Sequence, residues 1–198
     1  MESILKKLAK KPTLRKKEVV ILITNGKQTK EKGSKSPVVI AKKINKKGVI
    51  VVTVGVGPKV SKTELKKIGN GTSFFTKNFK TLLTKTFLEK ITNHTCEHVK
   101  PKKPKKVCKK PMDVTFVIDS SKTITPKDLK AEKKLVVELS KVFGVGTKKT
   151  NKTLVSVVTF SEKVVESVKL NSTKTIKALE KAVKKIPLLK KTTRIDKG

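Results

Sequence analysis

Four stretches of the chain are apolar at nearly every position: Val19–Ile23, Val49–Gly57, Val114–Ile118 and Leu154–Phe160. Runs of this length without polar alternation predict strands covered on both faces, as in a parallel sheet. Between them the apolar period changes. Met1–Lys11 reads as a helix that Pro12 ends. Pro37 followed by Val38, Val39, Ala41 and Ile44 reads as a helix with proline in its first turn, after a polar loop over Gly26–Ser36. Ser61 with Glu64 is a capping-box pattern opening a short helix to Ile68, and Thr72–Phe75 reads as a short strand. Phe79, Leu82, Leu83, Thr86, Phe87 and Ile91 recur at helical spacing. Lys127–Phe143 reads as a helix with Leu129, Leu135, Val136, Leu139 and Val142 apolar; Thr173–Ile186 reads as another, with Ile176, Leu179, Ala182, Val183 and Ile186 on one face. Strands alternating with helices predict an α/β fold with a mostly parallel central sheet flanked by helices.

One segment breaks the alternation. Thr95–Met112 contains KPKKPKKVCKKP, whose proline and like charges predict an extended, self-repelling linker. It divides the chain into residues 1–95, a linker at 96–112, and residues 113–198. The longest apolar runs fall far short of the roughly 18 residues that would span a membrane, and no signal-peptide pattern follows Met1.

Charge changes the picture more than length does. The 198 residues carry a net charge of +35, with 33% charged and only 35% hydrophobic residues. Almost all of the positive charge is lysine; Arg15 and Arg194 are the only arginines. Such a surface attracts polyanions. The lysines are spread through every segment, however, and the chain has no Trp or Tyr on which bases could stack. Polyanionic glycans therefore fit better than nucleic acid.

The candidate chemistry lies where two of the buried strands end. Val114–Ile118 runs into Asp119-Ser120-Ser121-Lys122-Thr123, a carboxylate and two hydroxyls at alternate positions. Hard oxygen donors at that spacing suit Mg²⁺ or Mn²⁺. Glu18–Gly26 ends in a similar way, with Asn25 where a second carboxylate is expected. In open α/β sheets ligands bind outside the carboxyl ends of the strands, which is the physical case for these two loops meeting. Other chemistries are thin. His94 and His98 flank Cys96 in or beside the linker and make no closed metal site. No Ser-His-Asp set is visible, and VGVGP lacks the lysine of a phosphate-binding loop. The chain reads as non-enzymatic. Four N-x-S/T sequons, at Asn70, Asn93, Asn151 and Asn171, point to a secreted glycoprotein, and the two cysteines, Cys96 and Cys108, are disulfide candidates.

DVTFVIDSSKT resembles the first strand and the DxSxS motif of the von Willebrand factor type A domain, which carries a metal-ion-dependent adhesion site. LVSVVTFS at Leu154–Ser161 is similar to the family's second strand and Val164–Leu170 to its antiparallel third. Val19–Gly26 is similar to its fourth strand, VIVVTVGVG to its fifth, and Gly71–Phe75 to its sixth. The resemblance covers nearly all of the chain outside Thr95–Met112. It implies a Rossmann-like sandwich present as two halves in swapped order, residues 1–95 resembling the second half and 113–198 the first. The chain is then either a window on a tandem array or a circular permutant. The resemblance further implies that Val19–Thr24 lies beside Val114–Ile118 and that Met1–Lys11 continues the helix begun at Ile195–Gly198. It assigns Asp119, Ser121, Thr123, Thr193 and Asn25 to the metal site. Asn25 stands where the family usually has Asp and Thr123 where it usually has Ser, while Lys122, Lys190, Lys191 and Arg194 bring positive charge close. In matrix-type members flanking cysteines are common, so Cys96 and Cys108 pair either with partners beyond this chain or with each other. The function implied is an extracellular adhesion or matrix module, binding a protein ligand through an acidic side chain on a Mg²⁺ or Mn²⁺ ion. The alternative is a lysine-rich polyanion binder with a vestigial metal site.

Overall fold

A computed structural model of the chain describes residues 17–27, 36–96, 108, 110–147 and 149–190. The expected helix at Met1–Lys11, its contact with Ile195–Gly198, and Thr193 lie outside the described residues. Within them the elements run β1 (Glu18–Thr24), α1 (Pro37–Asn45), β2 (Ile50–Val56), α2 (Lys62–Ile68), β3 (Ser73–Thr76), a 3-10 turn (Phe79–Leu83), α3 (Lys85–Cys96), β4 (Asp113–Asp119), α4 (Pro126–Phe143), β5 (Leu154–Phe160), β6 (Val164–Val168) and α5 (Ile176–Lys184).

The strands form one six-stranded sheet in the order β3-β2-β1-β4-β5-β6. All neighbours are parallel except β5 and β6. The strand order moves outward one way from β1 and the other way from β4, so the topological switch point lies between them. There Val19 pairs with Val114 and Ile23 with Ile118, which joins the two segments on either side of the linker in one sheet. The expected neighbourhood of Val19–Thr24 and Val114–Ile118 is therefore present.

The apolar runs are continuous because both faces are covered. Val19, Ile21 and Ile23 share a core with Phe87 and Ile91 of α3, Leu135 and Leu139 of α4, and Leu179 and Val183 of α5. The alternate residues Val20 and Leu22 pack with Ala41 and Ile44 of α1 and with Leu65 and Ile68 of α2. This is the strand period of two applied to a sheet with helices on each side. α1 and α2 thus occupy one face, and α3, α4 and α5 the other.

Some boundaries differ from the sequence reading. The periodic stretch from Phe79 to Ile91 is two elements. Asn78 caps the 3-10 turn by accepting from the Thr81 N–H, and the chain is extended at Thr84 before α3 begins. At Ser61 only half of the capping box forms: its hydroxyl accepts from the Glu64 N–H. A full box instead opens α4, where the Thr125 hydroxyl accepts from the Asp128 N–H and the Asp128 carboxylate accepts from the Thr125 N–H. Gly144 in the left-handed conformation (φ 75°) ends that helix. Cys96 and Cys108 are joined to each other in a disulfide. The second cysteine is further held by its N–H, which donates to the Val142 carbonyl at 3.1 Å. The linker's far end is therefore fastened to the base of α4.

Candidate functional site

The loops after β1 and β4 meet at the switch point because register puts Thr24 beside Asp119. The Thr24 hydroxyl donates to Asp119 Oδ2 at 2.6 Å, and the Ser121 N–H donates to Asp119 Oδ1 at 2.9 Å. Ser121 Oγ and Thr123 Oγ1 lie 3.1 Å apart. Thr123 Oγ1 donates to Asn25 Oδ1 at 2.8 Å, and Asn25 Nδ2 donates back to the Thr123 carbonyl at 3.1 Å. Four residues named from the sequence, Asp119, Ser121, Thr123 and Asn25, are thus brought together from two loops some 98 positions apart in the chain. Asp119 and Ser121 are fully buried, whereas Thr123 and Lys122 are exposed and Asn25 is half-buried.

Three further residues shape the site and were given no role from the sequence. Thr24 satisfies one oxygen of Asp119 with a hydrogen bond. Ser120, also fully buried, clamps the segment leading to Thr193: its hydroxyl donates to the Pro187 carbonyl at 3.2 Å and accepts from the Leu189 N–H at 2.8 Å, while its carbonyl accepts from the Lys190 N–H at 2.9 Å. Lys190 sits in the left-handed region, φ 54°. The third is Glu132, on the buried face of α4, with both carboxyl oxygens unpartnered among the described residues. Thr24 was legible only once the β1–β4 register was known. Ser120 lies within the Asp119–Thr123 stretch, between two of the oxygen donors. Glu132 falls three residues after Leu129 on the same helical face.

Electrostatically the site is poised around one carboxylate. Burial raises the Asp119 carboxyl above its ordinary value, and the hydrogen bonds from Thr24 and Ser121 pull it part of the way back. Glu132 is held well above the ordinary glutamate value by complete burial, with the negative charges of Asp119 and Asp128 adding to the effect. Among the described residues no group of three or more His, Cys, Asp or Glu converges as a metal cluster. The donors at the switch point are instead hydroxyl, amide and carboxylate oxygens with a single charge. That set fits a hard divalent cation held weakly. A groove of about 710 Å³ between α4 and α5 is separate: Leu129, Val137, Val183, Ile186 and Leu188 line it, and the four site residues do not.

The remaining sequence candidates are dispersed. Asn70, Asn151 and Asn171 lie at exposed turns with φ of 45°, 49° and 63°, a conformation asparagine tolerates better than most residues. Asn93 is exposed on α3. The sequon threonines Thr95, Thr153 and Thr173 are buried. His94 packs edge-on against the Phe74 ring, 5.3 Å between centroids, far from a ligating role; His98 lies outside the described residues. No described helix is long and apolar enough to cross a membrane.

The family model of the von Willebrand factor type A domain matches residues 1–93 and 113–198, leaving out the linker. No curated protein matches. Among solved structures, an uncharacterized protein from Alicyclobacillus acidocaldarius subsp. acidocaldarius is similar in fold, with TM-score 0.55 and 14% identity over 92% of this chain and 93% of that one. Proximal thread matrix protein 1 from the mussel byssus, solved with a zinc-occupied MIDAS motif, is 24% identical over 90% of this chain, at TM-score 0.41. The match takes in 43% of that protein's chain.

Proposed function

This chain belongs to the von Willebrand factor type A domain family, and from that premise we propose that it is a non-enzymatic adhesion module whose switch-point loops hold a divalent cation and present it to an acidic side chain of a protein ligand. Protein interaction or adhesion is what the family suggests; cation dependence and the acidic ligand are the proposal. The observation that carries it is the convergence of Asp119, Ser121, Thr123 and Asn25 in one hydrogen-bonded cluster. Asp119, Ser121 and Thr123 would ligate through oxygen, with Asn25 lending an amide oxygen and Thr193 a further hydroxyl. The cation, Mg²⁺ or Mn²⁺, would supply an electrophilic position for a partner's carboxylate. Ser120 fixes the neighbouring 187–190 segment, and Thr24 orients the Asp119 carboxylate.

The Cys96–Cys108 disulfide supports an oxidising, extracellular location, and the four sequons are consistent with secretion as a glycoprotein. Calorimetry of the whole chain with Mg²⁺ and with Mn²⁺ tests the reading. The wild type should bind one ion and Asp119→Ala none. Equal heats from both proteins would remove the site from these loops.

A second reading is favoured by the net charge of +35. In it the lysine surface binds a polyanion and the loops stay free of metal. The two readings separate by perturbation. A chelator abolishes binding in the first, and added salt abolishes it in the second.

A further inference from the structure

The charge is not distributed evenly between the two faces of the sheet. Residues 36–72, which build α1, β2, α2 and their connections, contain eight lysines, five of them in the two helices, and a single acid, Glu64. That acid is half-buried in the first turn of α2. On the opposite face, α3, α4 and α5 together carry ten lysines, but with five acids among them. Two of these are neutralised in ion pairs: Glu138 with Lys141 at 2.8 Å and Glu180 with Lys184 at 3.5 Å. Lys42 and Lys43 of α1, Lys46 at its carboxyl-terminal cap, and Lys66 and Lys67 of α2 are all exposed, and none forms an ion pair among the described residues.

Topology concentrates these five. Both helices return antiparallel to the strands they connect, β1 to β2 and β2 to β3, and they pack against each other. Their carboxyl-terminal turns therefore lie together at the amino-terminal edge of the sheet. Lys42 and Lys46 are one helical turn apart, roughly 5 to 6 Å along the axis, with Lys66 and Lys67 on the adjoining helix. This edge is the end of the domain away from Asp119 and Asn25.

We infer that the carboxyl-terminal ends of α1 and α2 form a binding surface for a sulfated polysaccharide, separate from the switch-point loops. The inference rests on the polyanion reading above and gives it a location. The chemistry selects the ligand class. Residues 36–72 contain no arginine, so the surface offers mobile point charges and no rigid fork for a sulfate or a phosphate. No aromatic ring is exposed there as a stacking platform: residues 36–72 contain none, and Phe75 beneath α2 lies under Lys62, whose Nζ is 5.9 Å from the ring centroid. Dispersed sulfates on a flexible chain match this surface; unstacked bases do not.

The test compares two charge-neutralised proteins of equal net charge by binding to heparin over a range of salt. One carries Lys42→Gln, Lys43→Gln, Lys46→Gln, Lys66→Gln and Lys67→Gln. The other carries glutamine at five exposed lysines of the opposite face, Lys127, Lys130, Lys134, Lys177 and Lys181. Circular dichroism confirms that both fold. The first set should lower the slope of log affinity against log salt by about 3.5, at ~0.7 for each positive charge removed, and elute far earlier from a heparin column. The second set should change little, and EDTA should change nothing. Equal losses in the two proteins would overturn the localised surface while leaving a diffuse polyanion reading intact. No retention of the wild type near physiological salt would remove both. Tighter binding of a single-stranded oligonucleotide than of heparin at equal charge would reassign the surface to nucleic acid.

Discussion

Replacing Glu132 with methionine should stabilise this domain, and by more at high pH than at low. The side chain is completely buried on α4, and neither carboxyl oxygen has a hydrogen-bond partner among the described residues. The charged groups that bear on it are Asp119 at the end of β4 and Asp128 one turn earlier on α4, both acidic. Methionine fills a similar volume without the polar atoms. Relief of an unsatisfied buried group is worth about 1–3 kcal/mol. For a domain of this size that corresponds to a rise in Tm of roughly 2–12 °C. The pH term adds to it. The folded-state pKa of Glu132 is raised, so the native state keeps the proton while the unfolded chain releases it above about pH 4.3. Stability of the wild type therefore falls as pH rises from there towards the folded pKa, by at most about 1.4 kcal/mol per pH unit from this group. Asp119, also raised, contributes to the wild-type and variant curves alike. Denaturant melts at pH 5 and pH 7.5 should show the Glu132→Met advantage widening with pH. Glu132→Gln should abolish the widening while keeping much of the buried-polar cost. A Glu132→Met protein less stable than wild type at both pH values would show that the carboxylate is satisfied in the fold, and the argument would fail.

Three other expectations follow from particular side chains. Asn25→Asp removes the amide that donates to the Thr123 carbonyl and sets a carboxylate facing it. Without divalent ions the variant should lose about 1 kcal/mol, and with millimolar Mg²⁺ thermal melts should show the loss reversed; destabilisation unaffected by Mg²⁺ would count against Asn25 as a ligand position. Gly55→Ala would place a Cβ 2.8 Å from Leu65 Cδ1 and 2.9 Å from Phe75 Cδ1. Overpacking of this kind costs roughly 1–3 kcal/mol, readable as a lower urea midpoint. Reducing Cys96–Cys108, 12 positions apart, should cost about 3 kcal/mol on a loop-closure argument, measured by melting with and without reductant; an unchanged Tm would mean that the unfolded state is insensitive to the crosslink.

The fold was legible because its strands are buried on both sides. Val19–Ile23 and Val114–Ile118 have no polar alternation, and a parallel sheet with two helical layers accommodates that pattern. The loop chemistry was legible for the same reason. Asp119 ends an otherwise apolar run, and a carboxylate there has to be satisfied locally. What could not be read was everything set by register. Thr24 is an ordinary strand threonine until the β1–β4 pairing brings it against Asp119. The periodicity from Phe79 to Ile91 runs through two elements because Asn78 and Thr84 act as caps that hydrophobic spacing does not record. Glu132 keeps the helical period while reversing its polarity, so a reading based on apolar positions steps over it. The sequons carry their own structural reason, since three of the four asparagines occupy left-handed turns.

On the proposed function, the loops after β1 and β4 bind a divalent cation between them. The most direct measurement is paramagnetic broadening of backbone amide signals by substoichiometric Mn²⁺ in the whole chain. The account predicts that Asn25, Gly26, Ser121 and Thr123 broaden first, that added Mg²⁺ restores them, and that Asp119→Ala abolishes the effect. Broadening centred on other residues, or unchanged in Asp119→Ala, would contradict it.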